Sequence, residues 1–203
     1  MIKTLIFDFG AIFINLDKAG ATKKLLDMIG ADALPEAAIS VNTLYEQGLL
    51  STEEFLQFYT DNFPEVSQTE IRDTWNSILL EFPKERLEFL KTLAQDKTYE
   101  LILLSNTNAL HIDHIKEQVP FYEEFKSQFD GFYLSHEIEL RKPNADIYQY
   151  VLKQHQTKAE HCLFIDDTKA NTDAAAALGI HVWNLDETTQ DITQLFDLKS
   201  KLF

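Results

Sequence analysis

The sequence predicts an α/β protein: a parallel sheet covered by helices on both faces, with a helical segment inserted after the first strand. Three observations carry this expectation. Short apolar runs recur at Thr4–Phe7, Tyr99–Leu104, Phe129–Leu134, Cys162–Ile165 and Ile180–Trp183; helical patterns separate the later ones; and the stretch from about Asp17 to Phe82 has almost no strand character. Strands alternating with helices at this spacing require right-handed crossovers, and so a parallel sheet.

The first strand, Thr4-Leu5-Ile6-Phe7, reads as buried on both faces and is cut by Asp8, with Gly10 close behind. A helix over Lys18–Ile29 carries Leu25, Leu26 and Ile29 at helical spacing, with Gly30 as its C-terminal stop. Pro35 opens a second helix. Ser51 and Glu54, then Ser67 and Glu70, have the spacing of capping boxes and start a third and a fourth, with Phe55, Tyr59 and Trp75 as buried core. Beyond Pro83 the pattern changes. Lys84–Leu93 is helical, with Lys84, Arg86 and Lys91 on a solvated face, and the second strand ends at Ser105-Asn106. A helix from Leu110 to about Gln118 places His111 and His114 as a surface pair. The third strand ends at Ser135, Arg141-Lys142-Pro143 leads into another helix, and the fourth strand stops at Asp166-Asp167. A helix over Asn171–Leu178 and a fifth strand follow. The expected division is a core of residues 1–16 and 83–203 with a helical unit of residues 17–82.

A chain of 203 residues suits one substantial core with an insert. Its 33 acidic against 18 basic residues give a net charge of −15, which repels nucleic acid and anionic lipid. A small anionic substrate would need a local cation or bound metal. Cys162, the lone cysteine, reads as a buried core residue in a reducing compartment. Asp8 interrupts the apolar N-terminal stretch that would otherwise suggest a signal segment, and no run reaches membrane-spanning length. The expected location is cytoplasmic, as a monomer or homodimer.

Strand ends of one parallel sheet share an edge, so Asp8, Ser105-Asn106 and Asp166-Asp167 should converge on one crevice. Ser105, Thr107 and Asp167 also suit helix N-caps. Three carboxylates make an oxygen-rich site for a hard cation such as Mg2+ holding a phosphate. Lys142 and Ser105 supply the cation and hydroxyl that a transferring phosphoryl group needs, and Asp8 is placed to attack phosphorus.

Phe7-Asp8-Phe9-Gly10, Leu104-Ser105-Asn106, Arg141-Lys142-Pro143 and Phe164-Ile165-Asp166-Asp167 with Asn171 together resemble the four motifs of the haloacid dehalogenase (HAD)-like hydrolase superfamily, in order and spacing across nearly the whole chain. Tyr45-Glu46-Gln47-Gly48 followed by Ser51–Phe55 is similar to the α-helical caps of its small phosphatase branch, which includes glucose-1-phosphatase-like members. The resemblance implies a Rossmann-like core with a cap, and a magnesium-dependent phosphatase of small phosphorylated metabolites, sugar phosphates among them. It makes Asp8 nucleophile and metal ligand, the Gly10 carbonyl and Asp167 further ligands, and Asp166 a supporting one. Ser105 and Asn106 become phosphate holders, and Lys142 bridges phosphate and nucleophile. Tyr45, Glu46 and Gln47 are candidates to face the crevice.

Two departures stand out. Gly10 replaces the second aspartate that serves most of these phosphatases as general acid and base, a role worth about 10²- to 10⁴-fold. Substrates whose leaving group needs little protonation, such as anomeric or acyl phosphates, are then favoured, or a water near Asn15 substitutes. Glu139 stands where relatives often have glycine. The alternatives are a catalytically idle phosphate-binding or partner-binding protein and a 2-haloacid dehalogenase; the second conflicts with Asp166-Asp167, whose charges would repel Asp8 without a cation.

Overall fold

The computed structural model describes residues 1–203. In chain order its helices and strands are β1 (Thr4–Phe7), α1 (Lys18–Ile29), α2 (Glu36–Glu46), α3 (Thr52–Asn62), α4 (Gln68–Asn76), α5 (Lys84–Asp96), β2 (Glu100–Ser105), α6 (Ala109–Gln118), α7 (Tyr122–Lys126), β3 (Gly131–Leu134), α8 (Ser135–Ile138), α9 (Ala145–Gln154), β4 (Cys162–Asp166), α10 (Lys169–Ala177), β5 (His181–Asn184) and α11 (Leu195–Leu198). The five strands form one wholly parallel sheet in the order β3-β2-β1-β4-β5, with Phe7 opposite Leu103 on one side and Ile165 on the other.

Alternation along the strands divides the apolar side chains between two layers. Leu5, Phe7, Leu101, Leu103, Leu163 and Ile165 pack on one face, and Ile6, Ile102, Leu104, Cys162 and Phe164 on the other. Burial on both faces explains why each strand reads as a continuous apolar run. Cys162 is fully buried, as expected.

Helices α1 to α4 gather around their own apolar cluster, which takes in Phe55, Tyr59 and Leu110 of α6, with Trp75 packed against it. Both serine-glutamate capping boxes form, at α3 and α4, and Gly30 ends α1 in the left-handed conformation, φ 67°. No helix is long and apolar enough to cross a membrane.

Several expectations need correction. Arg86 is not solvated: it is 8 % exposed, donating to Asp191 at 2.8 Å and to Asn15 Oδ1 at 2.9 Å. The third strand starts at Gly131 rather than Phe129, because Phe129 turns into an aromatic cluster with Phe7, Phe13 and Phe125. Helix α10 begins at Lys169, two residues before the expected start. The short helices α7 and α8 carry no strong periodic signal; Tyr122, Phe125 and Ser135 are buried in them, so tertiary packing holds them.

Candidate active site

The site lies at the C-terminal edge of the sheet, beyond β1, β2 and β4. The Asp8 N–H donates to the Ile165 carbonyl at 2.9 Å, which continues the ladder one residue past the strand. Phe7 and Phe9 are buried on either side of it, and Phe9 stacks on Phe125 at 5.1 Å. The chain then turns sharply: Ala11 takes a left-handed conformation, φ 61°, and its N–H donates to Ile14. This buried wedge of aromatic rings fixes where Asp8 points.

Asp8, Asp166 and Asp167 bring carboxylate oxygens within 4.8 Å of one another. Their commitments differ. Both oxygens of Asp166, which is fully buried, are used: Oδ2 accepts from Lys142 Nζ at 2.7 Å, Oδ1 from the Thr168 N–H at 2.7 Å, and Asn171 Nδ2 reaches both. Asp167 accepts from Lys18 Nζ at 2.5 Å, and that ammonium also donates to Glu187 at 2.8 Å. Asp8 Oδ1 is buried and ion-paired with Lys142 Nζ at 2.9 Å, its one polar contact within the chain. Three carboxylates brought this close, with only Lys142 and Lys18 to balance them, fit a hard divalent cation, which takes oxygen ligands.

Burial raises the Asp8 carboxyl most, the charges of Asp166 and Asp167 add to it, and Lys142 opposes; the outcome is a pKa pushed up to about 7. Asp167 is also raised, by burial foremost, against the pull of Lys18. Burial works against the charged form of Lys142, but Asp166 and Asp8 outweigh it and hold the ammonium above its ordinary value.

Lys142 is held by main-chain contacts as well as by its charge. Asn106 Nδ2 donates to the Lys142 carbonyl, and the Lys142 N–H donates to Asn106 Oδ1, both at 2.9 Å. The Asn106 amide thus positions the lysine, and the second hydrogen of its Nδ2 is not engaged by the chain. Ser105 is 2 % exposed and its hydroxyl makes only a 3.5 Å contact with the next carbonyl, so it stays available. The N–H groups of Phe9, Gly10 and Asn106 donate to nothing within the chain. None of Ser105, Thr107 and Asp167 caps a helix: Asn108 caps α6, accepting from the His111 N–H, and Thr168 precedes α10.

Asp8, Gly10, Ser105, Asn106, Lys142 and Asp167 line one cavity of about 430 Å³, together with Lys18, Glu46, His111 and Arg141. Asp166 lies behind it. Of the residues expected to face the crevice from α2, Glu46 does, and its carboxylate accepts from Arg141 Nε at 2.7 Å. Tyr45 is instead buried: its hydroxyl accepts from the Leu110 N–H at 3.1 Å and meets Thr52 Oγ1 at 2.8 Å. Gln47 is not among the lining residues, and neither is Asn15, whose amide is engaged with Arg86 and Glu81, so it is not placed to hold a water at the site. His111 is no surface residue. Its Nε2–H donates to the Trp75 carbonyl at 3.1 Å and its ring stacks on Trp75, which leaves Nδ1 to accept from Asn108. Glu139 adopts the left-handed conformation, φ 57°, which is where glycine is favoured.

Lys18 and His111 were not identifiable as site residues. One follows a helix cap and reads as an exposed first turn; the other forms half of an unremarkable i, i+3 pair. Their roles depend on contacts 149 and 36 residues away.

The model of the haloacid dehalogenase-like hydrolase family matches residues 18–179. The chain belongs to that family. A D-ribitol-5-phosphate phosphatase of Bacteroides thetaiotaomicron is 26% identical over 195 residues, covering 90% of this chain and 91% of its own. Among solved structures, a HAD-like family hydrolase from Porphyromonas gingivalis superposes with a TM-score of 0.84 at 28% identity, covering 98% of both chains. A HAD family enzyme from Bacteroides thetaiotaomicron, crystallised with magnesium and inorganic phosphate, gives a TM-score of 0.83 at 28% identity over 97% of this chain and 100% of its own. The 2-haloacid dehalogenase of Pseudomonas syringae shares the fold, with a TM-score of 0.61 at 16% identity.

Proposed function

We propose that this chain is a magnesium-dependent phosphatase of small phosphorylated metabolites that works through an aspartyl-phosphate on Asp8, with residues 17–82 serving as a cap over the core of residues 1–16 and 83–203. The observation that carries this reading is the convergence of Asp8, Ser105, Lys142 and Asp167 on one cavity from four separate parts of the chain. The similarity to a sugar-alcohol phosphate phosphatase, and to an enzyme crystallised with magnesium and phosphate, supports it.

Asp8, the Gly10 carbonyl and Asp167 would hold the ion, with Asp166 behind them. A bound magnesium supplies charge neutralisation for the phosphate oxygens. Lys142 and the Ser105 hydroxyl face the remaining oxygens, joined by the unengaged N–H groups of Phe9, Gly10 and Asn106. An Asp8 carboxylate oxygen attacks phosphorus, the bond to the leaving-group oxygen breaks, and that oxygen departs with the bonding pair. Water then attacks the aspartyl-phosphate, releasing inorganic phosphate and restoring the carboxylate.

With Gly10 in place of an acid, no carboxylic acid is available at that position to protonate the departing oxygen. Leaving groups of low pKa are therefore favoured. The test is phosphate release from acetyl phosphate, an anomeric sugar phosphate and an alkyl phosphate. The wild type with magnesium should turn over the first two fastest, and both chelation and Asp8→Asn should abolish release. An active Asp8→Asn variant would end the covalent reading, and a rate independent of leaving-group pKa would end the part played by Gly10.

A further inference from the structure

Asp167 is gripped from two sides by groups that are not themselves carboxylates. Its main-chain carbonyl accepts from Asn184 Nδ2 at 2.7 Å; the same amide reaches the Asp166 carbonyl at 3.2 Å, where the Leu185 N–H also donates, at 3.1 Å. Its Oδ2 accepts from Lys18 Nζ at 2.5 Å. Oδ1 is then the one polar atom of the side chain without a partner in the chain.

Both holding groups are fixed in turn. Asn184 ends β5. Lys18 opens α1, where the Asp17 N–H donates to the Ile78 carbonyl at 2.9 Å and the Asp17 carboxylate accepts from the Gly20 N–H at 2.8 Å. The Lys18 ammonium is shared with Glu187 at 2.8 Å, and Glu187 lies outside the group of three carboxylates at the sheet edge. The loop that carries Glu187 is pinned by the Asp186 carboxylate, which accepts from the Thr188 N–H at 3.0 Å and the Thr189 hydroxyl at 2.9 Å.

Lys18 has two opposed effects on a cation held by Asp167. Its charge repels the ion, but its side chain is 44 % exposed, so solvent and salt screen that repulsion. Its hydrogen bond orients a carboxylate that is only 10 % exposed, and contacts of this kind are worth about 10- to 100-fold in metal affinity. The orienting effect is the larger.

We propose that Lys18 and Asn184 are positioning residues of the magnesium site, holding Asp167 so that Oδ1 is the oxygen left free for the ion; this rests on the metal site of the phosphatase reading above. Because Lys18 belongs to α1, the affinity for the ion then depends on how that helix is seated against the sheet edge.

Titration calorimetry of the full chain with magnesium chloride alone tests this without turnover. Lys18→Met should weaken magnesium binding about tenfold, and Asn184→Ala should weaken it too. Lys18→Arg, which keeps a donor to Oδ2, should retain most of the wild-type affinity. The urea midpoint of Lys18→Met without magnesium should stay near that of the wild type, since an exposed ion pair adds little stability, so the lost affinity is not a lost fold. Affinity equal to the wild type in both Lys18→Met and Asn184→Ala overturns the proposal. Tighter binding by Lys18→Met also overturns it, because repulsion would then outweigh orientation. Binding that Asp167→Asn abolishes and Lys18→Met leaves untouched removes the positioning role and keeps the metal site. No magnesium binding by the wild type removes both. If the affinities fall as expected while the wild type releases no phosphate from any ester, the positioning role stands and the phosphatase reading falls.

Discussion

Lys142 is the side chain whose charge most of the site depends on, since it is wholly buried between Asp8 and Asp166. Replacing it with methionine leaves a buried carboxylate unpaired, a change that costs about 3–5 kcal/mol in comparable settings. Lys142→Met should therefore lose stability in urea denaturation as well as activity, and adding Asp166→Asn should return part of the stability. Equal losses in the single and double variants would mean that the two groups are not coupled. Gly10 offers a test of the opposite kind. A Cβ built there meets Leu16 Cδ1 at 2.8 Å, and the end of a flexible side chain can move aside. Gly10→Asp combined with Leu16→Ala should install the missing acid, raise turnover of alkyl phosphates by up to about 10²-fold, and flatten the dependence of kcat/KM on leaving-group pKa. An unchanged slope would show that position 10 is not where the leaving group is protonated.

Between elements, one contact that seats the four-helix unit on the core is a close approach of main chain. The end of α2 approaches α8 so closely that a Cβ on Gly48, whose φ is 71°, would come within 2.0 Å of the His136 carbonyl oxygen. The Ser135 hydroxyl lies against the Glu46 carbonyl and accepts from the Thr107 N–H at 2.9 Å, tying the same two elements to the loop after β2. Gly48→Ala must push α2 away from α8. The expected result is a loss of about 2 kcal/mol or more in chemical denaturation, combining left-handed strain with the displaced backbone, and a raised KM because Glu46 moves with the helix. A KM like that of the wild type would show that this seam does not set the cavity. The same seam marks the boundary of what the sequence reveals. Strands buried on both faces announce themselves as apolar runs, and a polar side chain that ends such a run is visible, which is why Asp8, Ser105 and Asp167 were legible. Asn106 gripping Lys142 across 36 residues, or Arg86 buried against Asp191 across 105, leaves no local trace because each residue type is ordinary where it stands. Helices α7 and α8 are too short to hold without their surroundings, so periodicity could not find them.

At the scale of the whole molecule, a net charge of −15 makes acid stability a sum over many carboxylates, and a single buried base has to be isolated by difference. His111 is suited to this. Burial foremost holds its imidazole down at a pKa of about 4, from an ordinary 6.5, although its bond to the Trp75 carbonyl opposes the shift. In the folded chain the ring therefore stays neutral while the unfolded chain takes up a proton, so between about pH 6.5 and 4 the unfolded state binds more protons. Stability from this residue is complete above 6.5 and is lost progressively as the pH falls toward 4. His111→Gln removes the titration and keeps a side chain able to donate toward Trp75. The stability difference between wild type and variant, measured by urea denaturation at pH 7.5, 6.5, 5.5 and 4.5, should favour the wild type most at the highest pH and shrink step by step on acidification. Because His111 also lines the cavity at the sheet edge, a ligand that fills it and keeps the imidazole neutral should leave the onset of that loss near pH 6.5, which belongs to the unfolded chain, and carry its end to lower pH. A difference that stays constant across the four pH values would mean that the ring charges as readily in the folded chain as in the unfolded one, and that His111 does not seal the boundary between the sheet edge and the helices above it.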